Sequence, residues 1–294
     1  MNSRYHRNRV LLLCGFIVAL VIFWFVGDRF SIPTYKGFGG SVAQPISSFI
    51  VVALTTWIVT AICTIIAGSV RADAGLCCAA LGLMSLSIRG GPIRYALFDA
   101  APSAFYRLAI ELVILFAILG GAQLVVAQMV KLGLAHSEDD FTPDDQPLDQ
   151  RLIATAAHAC ATATLLLLLC RTDHKAQCIA SVGVSALLGS LITGMIAPVR
   201  PAFWYWIGPM FVGLLGYAWS SFSPQDLPIG RAGGYFQALA RPLPVDYASV
   251  GVAGAMLGYW MARAWQRQRG EHDDEDEDQP EKAAQPERPA APNL

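Results

Sequence analysis

An ionisable side chain inside an apolar run is costly to bury, so it is the first place to look for chemistry. In this chain His158 is that residue, within the uncharged run 152–170. Thr155, His158 and Thr162 follow at spacings of three and four, which puts them on one face of a helix. His158 stands seven residues past Arg151, roughly 10 Å along a helix. Such a stripe can line a polar cavity or bind a substrate group. It can equally supply one interhelical hydrogen bond from a neutral imidazole, worth about 1 kcal/mol. A haem clamp would need a second axial histidine within a span, and there is none.

A second set of candidates lies at 89–111, a junction rich in arginine, glycine and proline. Arg89, Arg94 and Arg107 together could bind a lipid phosphate, since guanidinium matches phosphate bidentately. As surface anchors they need no such role. Arg107 and Glu111 are one turn apart and can pair in the headgroup zone. The run 105–134 that carries them measures about 45 Å as a helix, longer than a bilayer core. Arg200, in a similar junction further on, joins this set.

Other chemistry is excluded or weakened. No HExxH helix, GxSxG elbow or GxxxxGK[ST] loop occurs, and Gly183-Val184-Ser185 only loosely resembles an intramembrane serine nucleophile, since Ala186 replaces the usual following glycine. The seven cysteines (Cys14, Cys63, Cys77, Cys78, Cys160, Cys170 and Cys178) all sit in or beside apolar segments. They read as small hydrophobes packed between helices. With no CxxC pair and an odd count, they suggest neither a zinc clamp nor a disulfide framework. No catalytic residue, metal site or cofactor is expected, and no basic stripe offers itself to nucleic acid. The uncharged runs also hold no carboxylate, which argues against ion- or proton-coupled transport.

These residues must be positioned by apolar helices. Hydrophobic residues make up 54% of the chain and charged ones 15%, well below the roughly 25% of soluble domains. Runs without Asp, Glu, Lys or Arg cover 10–26, 46–70, 74–88, 112–130, 152–170, 177–197, 203–222 and 247–262. A bilayer core needs about 20 apolar residues per helix. The fold class is therefore all-α, a polytopic transmembrane bundle over 1–269 with about eight spans. The expected spans lie near 10–26, 46–70, 74–88, 108–132, 152–170, 177–197, 203–222 and 247–265, or seven if 74–88 is re-entrant. The first reads as an uncleaved signal anchor.

The segment 74–88 is dominated by small residues, which suits an interior helix. Small residues at spacing four also mark 177–197 (Ser181, Ser185, Gly189) and 247–265 (Gly254, Gly258) as packing faces inside the protein. Aromatics bracket 203–222 (Phe203, Trp204, Tyr205, Trp206; Tyr217, Trp219, Phe222), as headgroup belts do. The stretch 223–246 reads as a long loop, part of it on the membrane surface. Residues 270–294, acidic and then rich in Pro and Ala, have the composition of a disordered tail.

One pattern points to a 3+3 internal repeat. Arg71-x-Asp73 and then Pro92-Ile93-Arg94-x-Ala96 punctuate three spans; Arg171-x-Asp173 and then Pro198-Val199-Arg200-x-Ala202 punctuate the next three. Three spans per unit would invert one against the other, the arrangement of many secondary transporters. Against it, membrane-surface turns draw on Pro, Arg, Asp and aromatics in any case.

Lysine and arginine divide almost evenly between the two faces, so the positive-inside rule separates seven from eight spans poorly. Basic clusters at both termini favour eight, in the cell membrane, with both ends cytoplasmic. The expected function is that of a non-enzymatic structural or interaction subunit. Its partners would be the lipid bilayer and a protein met through the acidic tail or the Gly-rich loop at 28–44; oligomeric state is left open. The alternatives are a small-solute transporter or channel built on the inverted repeat, and a lipid-handling enzyme working at 89–111.

Overall fold

A chain this poor in charge must satisfy its backbone internally wherever water is absent, which leaves helices or closed barrels. A computed structural model shows the helical solution. It describes residues 2–27, 46–89, 93, 103–135, 146–222 and 237–283, and among these there is no strand. In chain order the helices are α1 (Asn2–Gly27), α2 (Ile46–Ala67), α3 (Ala74–Arg89), α4 (Ser103–Lys131) and α5 (Leu148–Leu169). There follow α6 (Lys175–Ile196), α7 (Phe203–Trp206), α8 (Gly208–Phe222), α9 (Pro244–Asp246) and α10 (Val252–Ala283). A 3-10 turn at Ala238–Ala240 precedes α9, and a π turn at Tyr247–Gly251 joins α9 to α10.

Five segments are long and apolar enough to cross a membrane: His6–Gly27, Ser47–Ala67, Phe105–Lys131, Leu148–Leu169 and Lys175–Ile196. Their outer faces expose Leu13, Ile58, Leu124, Ile153 and Ile196. An apolar surface of that extent suits lipid and not water.

The small residues sit where helices touch. Nearly every residue of α3 is buried, with α1 on one side and α2 on the other. A Cβ at Gly82 would strike Ala19 and Phe23 of α1, and one at Gly75 would strike Thr60 and Thr64 of α2. The pair Gly254 and Gly258 on α10 lies against the backbone carbonyls of Gly183 and Leu187 on α6. This is close backbone approach of the small-xxx-small kind, and it is used within the chain.

The structure corrects two expectations. The aromatics around α7 and α8 divide: Tyr205, Trp206 and Tyr217 are buried, Phe203 and Trp204 half-buried, and Trp219 and Phe222 exposed. Two of the buried rings have their hydroxyls satisfied inside, since Tyr205 donates to the carbonyl of Ala197 (3.0 Å) and Tyr217 to that of Pro242 (2.6 Å), whereas Trp206 Nε1 has no partner among the described residues. Second, the end of the 223–246 loop is packed inside the bundle, with Leu239, Ala240, Leu243 and Asp246 all buried. Tyr247 donates to the carbonyl of Leu239 (2.5 Å), helping to hold that stretch in place. Carboxylates are buried beside the spans, at Asp73 and Asp246. Both stand just outside an uncharged run, where a count of the runs does not see them.

The last helix continues to Ala283, into the segment whose composition predicts a disordered tail. The tail nonetheless fits the disordered segment that its composition predicts. Residues 28–45, Arg94, 136–145 and 284–294 lie outside the described residues, as does most of the 89–111 junction.

Candidate functional site: two buried polar clusters

The expected stripe forms. Thr155, His158 and Thr162 on α5 are all buried and face α6 and the α7–α8 segment. The Thr155 hydroxyl lies 2.9 Å from the carbonyls of both Arg151 and Trp204. His158 Nε2 lies 3.3 Å from the carbonyl of Ala186 on α6 and, when protonated, donates to it. Nδ1 has no hydrogen-bond partner among the described residues. The Tyr205 ring is tilted against the imidazole, with centroids 6.0 Å apart.

Two glycines shape this place. A Cβ at Gly208 would overlap the imidazole, and one at Gly189 would strike the Thr162 hydroxyl and crowd the ring. The α7–α8 segment breaks at Ile207, so that Gly208-Pro209 starts α8 directly against His158. Thr162, Ser185 and Ser190 carry buried hydroxyls with no hydrogen-bond partner among the described residues.

The arginine set is dispersed along the chain's turns and ends. Arg89, the last residue of α3, places its guanidinium 4.2 Å from the centre of the Trp24 ring on α1, a cation–π contact. Arg107 is exposed near the start of α4, while Glu111 one turn later is half-buried. No ion pair joins Arg107 to Glu111 among the described residues. Arg200 is half-buried in the turn between α6 and α7. Arg94 lies outside the described residues.

A second cluster was not anticipated from the sequence. Asp246, the last residue of α9, is fully buried and accepts three hydrogen bonds. Ser87 near the end of α3 donates to Oδ1. Lys175, the first residue of α6, reaches the same oxygen at 2.5 Å. The backbone N–H of Leu243 donates to Oδ2 at 2.8 Å, which is half of a capping box. Pro244 starts the short helix, where its missing N–H costs nothing.

The cluster thus joins three helices from distant parts of the chain. A buried ion pair persists only when its remaining hydrogen-bonding capacity is met, and here a hydroxyl and an amide meet it. Beside it, Arg241 donates to the carbonyl of Cys170. The π turn that follows Asp246 is the kind of helix irregularity often found at functional positions.

A third buried contact closes the opposite end of α3. Asp73 accepts from Trp260 Nε1 at 2.9 Å, and the Arg71 guanidinium lies 5.3 Å from the centre of the same Trp260 ring.

The Asp246 cluster holds one buried carboxylate against an ammonium, a hydroxyl and a backbone amide. Ser87 is a donor to that carboxylate, which the Lys175 ammonium also occupies, and no histidine or free base stands beside the hydroxyl to activate it. Among the described residues no group of three His, Cys, Asp or Glu side chains could hold a metal ion. The one signal in the sequence that could have pointed to this cluster is the position of Lys175 and Asp246. They are opposite charges at the very edges of apolar runs. No known protein family, characterised protein or solved structure matches the chain.

Proposed function

We propose that this chain is a non-enzymatic membrane component, a structural or interaction subunit of the cell membrane with about eight spans and both termini cytoplasmic. The packing around His158 carries this reading. His158, the one histidine in the middle of a long apolar helix among the described residues, is approached by Gly189 and Gly208 so closely that neither leaves room for a methyl group. Beyond the five long helices, α3, α8 and the start of α10 would supply the remaining three crossings. The acidic tail and the 28–44 loop remain the surfaces through which it would meet a protein partner.

The test is reconstitution of the full chain in proteoliposomes, with ion and small-solute permeability read against empty vesicles. The expected result is no difference. A flux that disappears in the His158→Ala or Asp246→Asn variant would sink the proposal.

One observation favours a second reading, a transporter on inverted repeats. In the first half α3 packs on α1 and α2, and α2 on α4; in the second, α6 packs on α10 and α5, and α5 on α8. If all of these helices cross, each matched pair runs in opposite directions. The Ser87–Asp246–Lys175 cluster then lies between the units, where transporters keep their coupling sites. The correspondence is incomplete, because the π turn wedged between α3 and α6 has no counterpart among the described residues of the first half.

A further inference from the structure

Cys170 closes the C-terminal end of α5 and Cys178 lies in the first turn of α6. Their sulfurs are 3.8 Å apart, in van der Waals contact. Both residues are buried, and both sulfurs point at one atom, the carbonyl oxygen of Thr172, at 3.7 and 3.6 Å. The residues between them form an exposed turn, with Arg171, Thr172 and His174 at the surface. The chain between the two thiols is therefore non-helical from 170 to 174, free of the ladder that would resist a small rotation.

We propose that Cys170 and Cys178 form a redox-active dithiol, oxidised to an intramolecular disulfide by exchange with a small disulfide. The sulfurs must close by about 1.8 Å to reach the length of an S–S bond. Rotation about the two Cα–Cβ bonds and adjustment of the 170–174 turn provide that movement.

The reaction balances with a disulfide RSSR as oxidant. One thiolate attacks RSSR, forming a mixed disulfide and releasing RS−. The second thiolate attacks the protein sulfur of the mixed disulfide, closing the Cys170–Cys178 bond and releasing another RS−. The two protein protons end on the two RSH products, and the protein has lost two electrons to the reagent. Closed zinc sites take four ligands, and only two soft donors converge here, so metal binding is the poorer use of this geometry.

The pair sits beside the Asp246 cluster. Lys175 lies inside the loop that the disulfide would close, and Arg241 holds the carbonyl of Cys170. Oxidation would therefore strap together the turn that presents Lys175 to Asp246, and reduction would release it. A single reversible bridge differs from the disulfide framework that the odd cysteine count argued against.

The test uses the full chain in detergent or nanodiscs, incubated with oxidised glutathione or with dithiothreitol. After oxidation, the intact mass should fall by two hydrogens and peptide mapping should join 170 to 178. Alkylation by N-ethylmaleimide should be lost at both positions together and return on reduction. The thermal midpoint of the oxidised form should lie above that of the reduced form, and neither Cys170→Ser nor Cys178→Ser should show these changes. Three results would overturn the proposal. One is independent alkylation of both thiols after oxidation; another is a bridge to Cys160 or Cys14. The third is a stable mixed disulfide with glutathione at either cysteine that the other fails to resolve.

Discussion

The His158 stripe and the Asp246 cluster are both buried and polar, yet they are built in opposite ways. The stripe comes from one helix, and its neighbours supply backbone: carbonyls of Ala186 and Trp204 and the Cα of two glycines. The cluster takes one side chain from each of three helices, and each neighbour supplies charge or a donor. Removing His158 takes away one weak hydrogen bond and leaves a neutral hole. Removing Asp246 or Lys175 leaves a charge buried without its partner. The difference predicts that stability is concentrated in the cluster, and that the stripe is sensitive to added volume more than to lost polarity.

The largest expected effect is at Asp246. Asp246→Ala strands the Lys175 ammonium and should lower stability by about 3–5 kcal/mol, read by thermal or denaturant unfolding in detergent. The double variant Lys175→Met, Asp246→Leu should recover much of that loss, since a packed apolar pair replaces a buried ion pair at little cost. Failure to recover would mean that Asp246 acts mainly through Ser87 and Leu243.

Gly208→Ala comes next. Its methyl group must displace the imidazole, and overpacking of this kind costs about 1–3 kcal/mol. The companion His158→Ala should relieve part of it, and no coupling between the two would break the account of the stripe. His158→Ala alone should cost about 1 kcal/mol, the ordinary worth of an interhelical hydrogen bond in a membrane. A loss larger than that of Asp246→Ala would reverse the comparison. The smallest effect is expected at Arg107→Ala, an exposed position whose loss should stay within about 0.5 kcal/mol.

The two arginine-x-aspartate turns show why part of the fold could be read from sequence and part could not. Both were visible as punctuation between apolar runs. In the first, Arg71 and Asp73 hold the Trp260 ring and its N–H, from a helix almost two hundred residues later. In the second, exposed Arg171 bonds to the carbonyl of Leu168 only three residues back (2.8 Å). The same residue types at the same spacing do different work because their partners come from different helices. The stripe was legible for the opposite reason, since its three members share one helix and helical spacing alone aligns them.

The sequence by itself determined that this is a helical membrane protein. Uncharged runs of about 20 residues suit a membrane helix and exceed the roughly 9–11 residues of a barrel strand, and small residues at spacing four mark where helices meet. It also determined that His158, Thr155 and Thr162 would share a face. Only the tertiary structure decided that the face would be closed by Gly189 and Gly208, that Asp246 would be buried, and that Ser87 and Lys175 would meet it. Cys170 and Cys178 too were brought into contact by the turn between two helices, not by any spacing motif. Periodicity is a local property of one helix, whereas a buried charge is set by which helices pack together and at what depth.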